Sequence, residues 1–280
     1  MITTRFAPAP TGYLHLGHVV NALYVWETAR REDGRVLLRI EDHDRQRSRP
    51  EYEASILEDL AWLGFVPDAP LVRQSERTHL YESALGRLRD AGLVYACECS
   101  RREIVDAGGS GAELRYPGTC SSKGLAEAPN RAIRVRLPRS EESFQDLLLG
   151  TQWQVPSEQC GDLLARDRHG NWTYQFAVTV DDIEQGVDLV IRGVDLLQST
   201  GWQIQLARTL GRSMSSRFMH HPLVMSTPEQ KLSKSDGASG IRELRARGLS
   251  AEDVKAEACR VVRLAPQTPN SQPPTPNSGI

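Results

Sequence analysis

The chain has 280 residues, a formal net charge of −2 at pH 7, 39% hydrophobic and 25% charged residues, and five cysteines. This composition is ordinary for a soluble protein and excludes collagen, a coiled coil, wholesale disorder and a basic coat for nonspecific nucleic-acid binding. No apolar run approaches the roughly 18 residues of a membrane span, and charged residues and prolines interrupt the amino-terminal segment where a signal peptide needs an apolar stretch. We therefore expect a cytoplasmic protein of one large or two modest domains that does not associate with membranes.

The first third of the chain has the pattern of a βαβ unit. We predict a strand over 2–8, a helix over 17–31 and a second strand over 36–40, whose near-continuous apolar character is typical of a buried parallel strand. Ligands of such a unit bind at the carboxyl ends of its strands, so the loop after the first strand is a candidate site. Two further helices are predicted over 51–63 and 78–91.

Residues 94–131 interrupt this regularity with cysteines, glycines and small polar residues, and we interpret them as an inserted, loop-rich subdomain. The chain then returns to regular structure and ends in an amphipathic helix, before which Ser250 and Asp253 have the spacing of a capping box. The segment from Leu264 onward is uncharged and rich in proline, so we expect a disordered tail. The later regular stretches are 132–137, 162–166, 174–180, 187–191, a helix over 200–210 that Gly211 ends, and the last helix over 251–262.

The tetrapeptide His15-Leu16-Gly17-His18 lies where the first strand gives way to the first helix. Gly17 allows the backbone to approach a nucleotide, and the start of a helix favours negative phosphates. His15 and His18 can both donate to phosphoryl oxygens and so stabilise the charge that develops when the α-phosphate is attacked. On its own, the same tetrapeptide is equally well explained as a histidine pair that caps a helix.

A second signature, Lys231-Leu232-Ser233-Lys234-Ser235, follows more than two hundred residues later. Lys231 and Lys234 in a short polar loop can hold a triphosphate from the side opposite the histidines. Alone, this stretch is better explained as a solvated basic loop. The two signatures in this order, with the first at a strand-to-helix junction, change that assessment.

Together these motifs resemble the HIGH and KMSKS signatures of the class I aminoacyl-tRNA synthetases. The resemblance implies an α/β fold with a Rossmann-like, doubly wound parallel sheet, an inserted zinc-binding subdomain and a short helical carboxyl-terminal region. The implied units are 1–93 for the first half of the catalytic core, 94–131 for the insertion, 132–240 for the second half with the Lys231 loop, 241–263 for the helical region and 264–280 for the tail.

Residues 5–12, 39–45 and 174–197 narrow the resemblance to the glutamyl branch. A dicarboxylate amino acid needs cations for its carboxylates and an anion for its ammonium group, and arginine suits a carboxylate better than lysine does. The family has serine where this chain has Ala9, so one hydroxyl that could bind the substrate is missing. Without the motifs, these residues would be interpreted as surface ion pairs and a core tyrosine. The resemblance implies Arg5 and Arg192 for the carboxylates, Glu41 for the ammonium group, Tyr174 as hydroxyl and wall, and the strand end Phe6, Ala7, Pro8 and Ala9 for glutamate binding.

Three cysteines of the insertion, Cys97, Cys99 and Cys120, have a spacing that suits tetrahedral zinc and that favours a metal site or free thiols over a disulfide framework. The spacing leaves the fourth ligand open, with Glu98 or water as candidates and reduced cysteines without metal as the alternative. The chain resembles most the glutamyl-queuosine subfamily, whose pattern of Cys-x-Cys followed by Tyr-x-x-x-Cys implies Tyr116 as the fourth ligand.

The resemblance implies ATP-dependent activation of L-glutamate to glutamyl-adenylate, with Mg²⁺ on the pyrophosphate. His15, His18, Lys231 and Lys234 would act in catalysis, and His15, Gly17, His18 and Lys234 would bind ATP. The chain length leaves no room for the anticodon-reading domain of a glutamyl-tRNA synthetase. We therefore expect a monomer that transfers glutamate to queuosine at the wobble position of the tRNA(Asp) anticodon stem-loop.

Three other functions fit parts of the sequence. The first is a truncated glutamyl-tRNA synthetase that charges a tRNA 3′ end. The second is a nucleotidylyltransferase, which also uses His-x-Gly-His but needs no dicarboxylate pocket. The third is an inactive tRNA-binding paralogue, which the intact histidines and lysines of the two signatures disfavour.

Overall fold

The computed structural model describes residues 1–108, 114–227, 230–231 and 240–264. Its described helices, apart from the 3-10 helices Gln74–Glu76 and Val194–Ser199, are α1 (Leu16–Arg31), α2 (Pro50–Trp62), α3 (Thr78–Asp90), α4 (Arg101–Asp106), α5 (Pro156–Gln159), α6 (Tyr174–Glu184), α7 (Thr200–Thr209), α8 (Ile241–Ala246) and α9 (Ala251–Leu264). Its described strands are β1 (Thr3–Phe6), β2 (Arg35–Ile40), β3 (Val72–Arg73), β4 (Val94–Cys97), β5 (Ala132–Val135), β6 (Glu142–Asp146), β7 (Gly150–Gln154), β8 (Leu163–Arg166), β9 (Leu189–Gly193), β10 (Arg217–His221), β11 (Met225–Thr227) and β12 (Gln230–Lys231).

The central strands form a parallel sheet in two groups. One group has the order β1-β2-β3 and the other has the order β7-β6-β10-β9, in which only β7 is antiparallel to its neighbour. The groups meet where the backbone N–H of Asp188 donates to the carbonyl of Thr3, which sets β9 beside β1. The strand order therefore reverses between β1 and β9, and a doubly wound sheet binds its ligands at the carboxyl ends of the strands beside this point.

Helices cover the sheet and bury its apolar side chains. One core lies between α1, α9 and strands β1 and β2, and a second lies between α3, α6, α7 and strands β5 and β8. The apolar positions of α9, such as Val254 and Ala258, are fully buried in the first core. No helix in the described part of the chain is long and apolar enough to cross a membrane.

Several predicted elements agree with the structure within a residue or two, and others differ. The capping box before α9 is confirmed, since the Ser250 hydroxyl accepts from the N–H of Asp253 and the Asp253 carboxylate accepts from the N–H of Ser250. The first strand is shorter than predicted, and the stretch 174–180 belongs to helix α6. The predicted insertion contributes β4, which pairs with β5. The predicted tail lies outside the described residues beyond Leu264.

A buried carboxylate, Asp181 on α6, joins four elements. It accepts hydrogen bonds from Gln74 (2.7 Å), Arg77 (2.6 Å) and Tyr81 (2.8 Å). The buried Arg39 of β2 lies 3.7 Å away. Because an ion in the protein interior is tolerated only when it is paired and hydrogen-bonded, this carboxylate fixes where α6 packs against α3 and β2.

We predict that Asp181→Ala lowers the free energy of unfolding by about 3–5 kcal/mol, because it leaves Arg39 buried without one of its counter-charges. The measurement is urea unfolding followed by circular dichroism. The control is Glu127→Ala, which removes an exposed ion pair with Arg89 and should cost less than about 1 kcal/mol. Equal losses in the two variants would contradict a structural role for the buried carboxylate.

Candidate active site

The two histidines of the first signature cap helix α1 with their own rings. Nδ1 of His15 accepts from the backbone N–H of Gly17 at 3.0 Å, and Nδ1 of His18 accepts from the backbone N–H of His15 at 3.1 Å. The ring centroids are 4.0 Å apart. Since each Nδ1 is an acceptor, each neutral ring carries its proton on Nε2. Both rings therefore offer an Nε2–H donor at the start of a helix, where a phosphate is favoured.

The second signature is mostly outside the described residues. Lys231 ends β12, its side chain is not described, and Lys234 falls in the segment 232–239. Described residues flank this segment, and Gly240 forms an antiparallel bridge with His15. The first described residue after this segment therefore lies beside the first signature.

A cavity of about 350 Å³ opens at the carboxyl ends of β1 and β2, beside His18. Most of the residues predicted to bind glutamate line it. Side chains that the sequence did not single out also contribute, namely Asn21, His43, Asp44 and Arg47. The predicted residues in its wall are Phe6, Ala7, Pro8, Ala9, His18, Glu41 and Tyr174.

Glu41 follows β2 and is a buried carboxylate in the lining of this cavity. Its side chain is buried, and its Oε1 accepts from NH2 of Arg39 at 3.2 Å. Burial raises the pKa of Glu41, although the charges of Arg39, His43 and Arg5 oppose this shift. A cationic ammonium group placed beside Glu41 would favour its ionised form.

Arg5 on β1 is buried, is not among the residues that line the cavity, and has partners of its own. Its Nε donates to Asp182 at 3.1 Å, and its NH1 donates to the carbonyl of Ile191 at 3.3 Å. Asp182 also accepts from Arg39 at 2.8 Å. Burial alone would raise the pKa of Asp182, but the two arginines outweigh burial and lower it.

Arg192 on β9 is also buried, and none of its hydrogen-bond partners is an anion. Nε donates to Nε2 of His220 at 3.0 Å, NH1 to Oε1 of Gln203 at 2.7 Å and NH2 to Oγ1 of Thr200 at 2.8 Å. Burial lowers the pKa of Arg192. These bonds engage three of the five N–H groups of the guanidinium, and Tyr174 is a further side-chain hydrogen-bond partner.

Tyr174 lies near the other residues that were predicted to bind the glutamate charges. It begins α6 and lines the cavity. Burial raises the pKa of its phenol, the charge of Glu41 adds to this shift, and the charges of Arg192 and Arg5 oppose it. Glu41, Arg5 and Arg192 therefore all lie within electrostatic reach of the Tyr174 phenol, although neither arginine is among the residues that line the cavity.

Sequence reasoning missed the residues that support these groups. Arg39, Asp181 and Asp182 were within the quoted stretches, yet nothing in the sequence paired β2 with α6. A signal existed, because a charge inside an apolar strand or helix must find a partner when that element is buried.

The three cysteines of the insertion come together. Their sulfur atoms lie within 4.8 Å of one another. Tyr116 Oη lies 3.4 Å from Cys97 Sγ and 3.9 Å from Cys99 Sγ. Three thiols and one phenol oxygen at these separations suit a tetrahedral zinc ion. Glu98, the other candidate ligand, forms an ion pair with Lys123.

Two thiols of the cluster differ in their electrostatics. Burial raises the pKa of Cys120, but hydrogen bonds from the Glu98 backbone and from Cys99 outweigh burial and lower it. Burial and the hydrogen bond with Cys120 raise the pKa of Cys99 to about 11. Zinc binds thiolates, so a zinc ion at this cluster would displace the thiol protons.

Comparison with known proteins agrees with this geometry. The family model described as tRNA synthetases class I (E and Q), catalytic domain, matches residues 1–261. A glutamyl-Q tRNA(Asp) synthetase of Rhodobacter capsulatus is 39% identical over an alignment that covers 90% of this chain and 98% of the relative. One of Ralstonia nicotianae is 45% identical and covers 85% of this chain and 78% of the relative.

Among solved structures, a glutamate tRNA ligase from Elizabethkingia meningosepticum superposes with a TM-score of 0.72 at 30% identity. The match covers 89% of this chain and 53% of the ligase, so the chain spans about half the length of that protein. The sequence and the fold thus point to one group of enzymes. The chain belongs to the class I tRNA synthetases of the E and Q family and, within it, to the glutamyl-Q tRNA(Asp) synthetases.

Proposed function

We propose that this ligase-type enzyme activates L-glutamate with ATP and transfers the glutamyl group to queuosine in the anticodon loop of tRNA(Asp). The observation that carries the first half is Arg192, a buried cation whose described hydrogen-bond partners are all neutral. A buried charge without a counter-charge is costly. A carboxylate of the substrate would supply that counter-charge.

The remaining groups around the cavity fit the other charges of glutamate. Glu41 is the anion for the ammonium group, and the Tyr174 phenol is within electrostatic reach of both this anion and the two arginines. Arg5 is less available than Arg192, because Asp182 already accepts from it. We therefore assign the main carboxylate contact to Arg192 and an electrostatic contribution to Arg5.

In the first half-reaction the α-carboxylate of glutamate attacks the α-phosphate of ATP, and pyrophosphate leaves. Mg²⁺ would neutralise the phosphates of the nucleotide. His15 and His18 donate their Nε2 protons as hydrogen bonds to phosphoryl oxygens, which stabilises the transferring group without a proton transfer. A Cβ added at Gly17 would lie 2.8 Å from the His15 ring, so glycine at this position lets the ring keep its place. Lys231 and Lys234 are proposed to contact the phosphates from the other side.

In the second half-reaction an acceptor hydroxyl attacks the activated carbonyl, and AMP leaves. A second cavity meets the first at Tyr174 and Leu196. Arg101, Arg134 and Arg168 line it, and arginine is well suited to phosphate. This cavity is a suitable approach for an RNA loop. The similarity to relatives named glutamyl-Q tRNA(Asp) synthetase favours queuosine as the acceptor.

We also propose that Cys97, Cys99, Tyr116 and Cys120 hold a structural zinc ion. The ion would cross-link a loop-rich region that has only a small core of its own. Arg134 lies 3.6 Å above the Tyr116 ring and lines the second cavity. The zinc cluster would thereby keep that cavity wall in position.

We predict that the protein incorporates radiolabelled glutamate into tRNA(Asp) that contains queuosine, in an ATP-dependent reaction. The matched control is tRNA(Asp) without queuosine, which should stay unlabelled because it lacks the acceptor hydroxyl. Labelling of tRNA(Glu) at its 3′ end would instead identify a tRNA-charging enzyme and overturn the proposed acceptor.

We predict that Arg192→Ala abolishes glutamate-dependent ATP/pyrophosphate exchange and leaves ATP binding intact. The lost charge-assisted bond to a carboxylate is the physical reason. Arg208→Ala is the control, since Arg208 pairs with Glu142 and should retain exchange. Normal exchange by Arg192→Ala would refute the assigned pocket.

We predict one zinc ion per chain by elemental analysis. Tyr116→Phe should weaken zinc retention against a chelator, because a phenyl ring cannot ligate, and Cys99→Ser should weaken it as well. The control is Cys259→Ser, because Cys259 is a buried cysteine on α9. This variant should keep its zinc. If Tyr116→Phe retains zinc as well as the wild type, the fourth ligand is water or Glu98.

A further inference from the structure

Three parallel strands carry a row of buried polar side chains at their carboxyl ends. β6 ends in Asp146, β9 carries Arg192 and β10, which lies between them, carries His220. The register of β10 and β9 sets His220 directly opposite Arg192. All three side chains are buried. None of them is apolar. Polar side chains are seldom fully buried, so this row needs an explanation other than apolar packing.

Hydrogen bonds connect the row from end to end. Nδ1 of His220 lies 2.6 Å from Oδ2 of Asp146, and the backbone N–H of His220 donates to the same oxygen at 3.1 Å. The other oxygen, Oδ1, accepts from the N–H groups of Leu148 and Leu149, both at 3.0 Å. At the far side, Nε2 of His220 faces Nε of Arg192 at 3.0 Å.

Only one protonation state of His220 satisfies every contact. A carboxylate oxygen can only accept, so Nδ1 must carry a proton. The guanidinium Nε–H can only donate, so Nε2 must present a lone pair. Thr200 Oγ1, 3.1 Å from Nε2, can donate to the same lone pair. His220 is therefore neutral and in the less common tautomer, with its proton on Nδ1.

The electrostatics of the row agree with a neutral ring. Burial lowers the pKa of His220, the hydrogen bond with Asp146 opposes the shift, and the charges of Arg192 and Arg5 add to it. Burial raises the pKa of Asp146, but hydrogen bonds from His220, Leu148 and Leu149 outweigh it and lower the pKa. Asp146 is therefore an anion, and the ring of His220 separates it from the Arg192 guanidinium.

We propose that Asp146 and His220 are positioning residues for glutamate, and that they act by fixing the Arg192 guanidinium through the Nδ1–H tautomer of His220. This inference rests on the proposed role of Arg192. With Nε held by His220, and NH1 and NH2 each held by one bond, the guanidinium cannot rotate. The guanidinium, with Tyr174 as a further hydrogen-bond partner, then meets the substrate in one orientation, which lowers the entropy lost on binding.

The decisive variant is Asp146→Asn, which keeps shape and volume but replaces Oδ2 by an amide donor. The amide donor faces Nδ1 of His220, so Nδ1 must accept and the ring proton moves to Nε2. Two donors, the Nε2–H of His220 and the Nε–H of Arg192, then face each other and repel. The KM for glutamate in ATP/pyrophosphate exchange should rise about tenfold or more, the range seen when the partner of a ligand-orienting group is removed. The KM for ATP should not change, whereas a general loss of folding would reduce both.

Two further variants separate positioning from packing. Glu142→Gln is the matched control, because Glu142 is a buried carboxylate on the same strand that pairs with Arg208. It should leave the KM for glutamate unchanged. His220→Gln, which can offer an amide oxygen to Arg192, should retain more glutamate affinity than His220→Leu, which offers no acceptor. Equal KM values for the two His220 variants would overturn the proposal.

The tautomer can be measured without any activity assay. Long-range ¹H–¹⁵N NMR of histidine side chains, with His220 assigned from the His220→Gln spectrum, should show protonated Nδ1 and unprotonated Nε2, reversed in Asp146→Asn. A protonated Nε2 in the wild type would overturn the inference. Absence of glutamate exchange in the wild type would instead overturn the proposed function. Exchange by the wild type with an unchanged glutamate KM in Asp146→Asn would overturn only the positioning role.

Discussion

The structure depends on three arginines that are buried in a parallel sheet. Strands of such a sheet are covered on both faces, so the side chains of Arg5, Arg39 and Arg192 cannot reach water and must find partners inside. Arg5 and Arg39 share Asp182 on helix α6. Arg192 instead has neutral partners. Of these three arginines, Arg192 is therefore the one that we propose for the substrate carboxylate.

The ion pairs of Arg5 and Arg39 also build the binding site. Asp181 and Asp182 fix α6 against β1, β2 and α3, and the same helix begins with Tyr174 in the cavity wall. A change that loosens these ion pairs would therefore move the tyrosine as well. Stability and ligand binding are coupled through one helix, because the carboxylates that hold it lie two turns from the residue that it presents.

The sequence was most informative where chemistry and local structure coincide. His15, Gly17 and His18 could be placed at the start of a helix because strand, turn and helix signals surrounded them. The stretch that begins at Tyr174 could not be identified as a helix, because it is buried on nearly every side and so lacks helical periodicity. The place of β4 was missed for a different reason: it lies in the stretch 94–131 that was interpreted as an insertion, but it pairs with β5, which lies outside that stretch.

The relation between Asp146 and Arg192 was beyond sequence reasoning, since β10 brings them together from positions far apart in the chain. It also explains how a buried cation can be tolerated and still bind an anion. A carboxylate in direct contact with Arg192 would neutralise it and compete with the substrate, as Asp182 does at Arg5. Asp146 acts across the neutral ring of His220, so it balances part of the charge without a direct ion pair to Arg192. On the proposed assignment, this histidine is the reason that Arg192, and not Arg5, responds to glutamate.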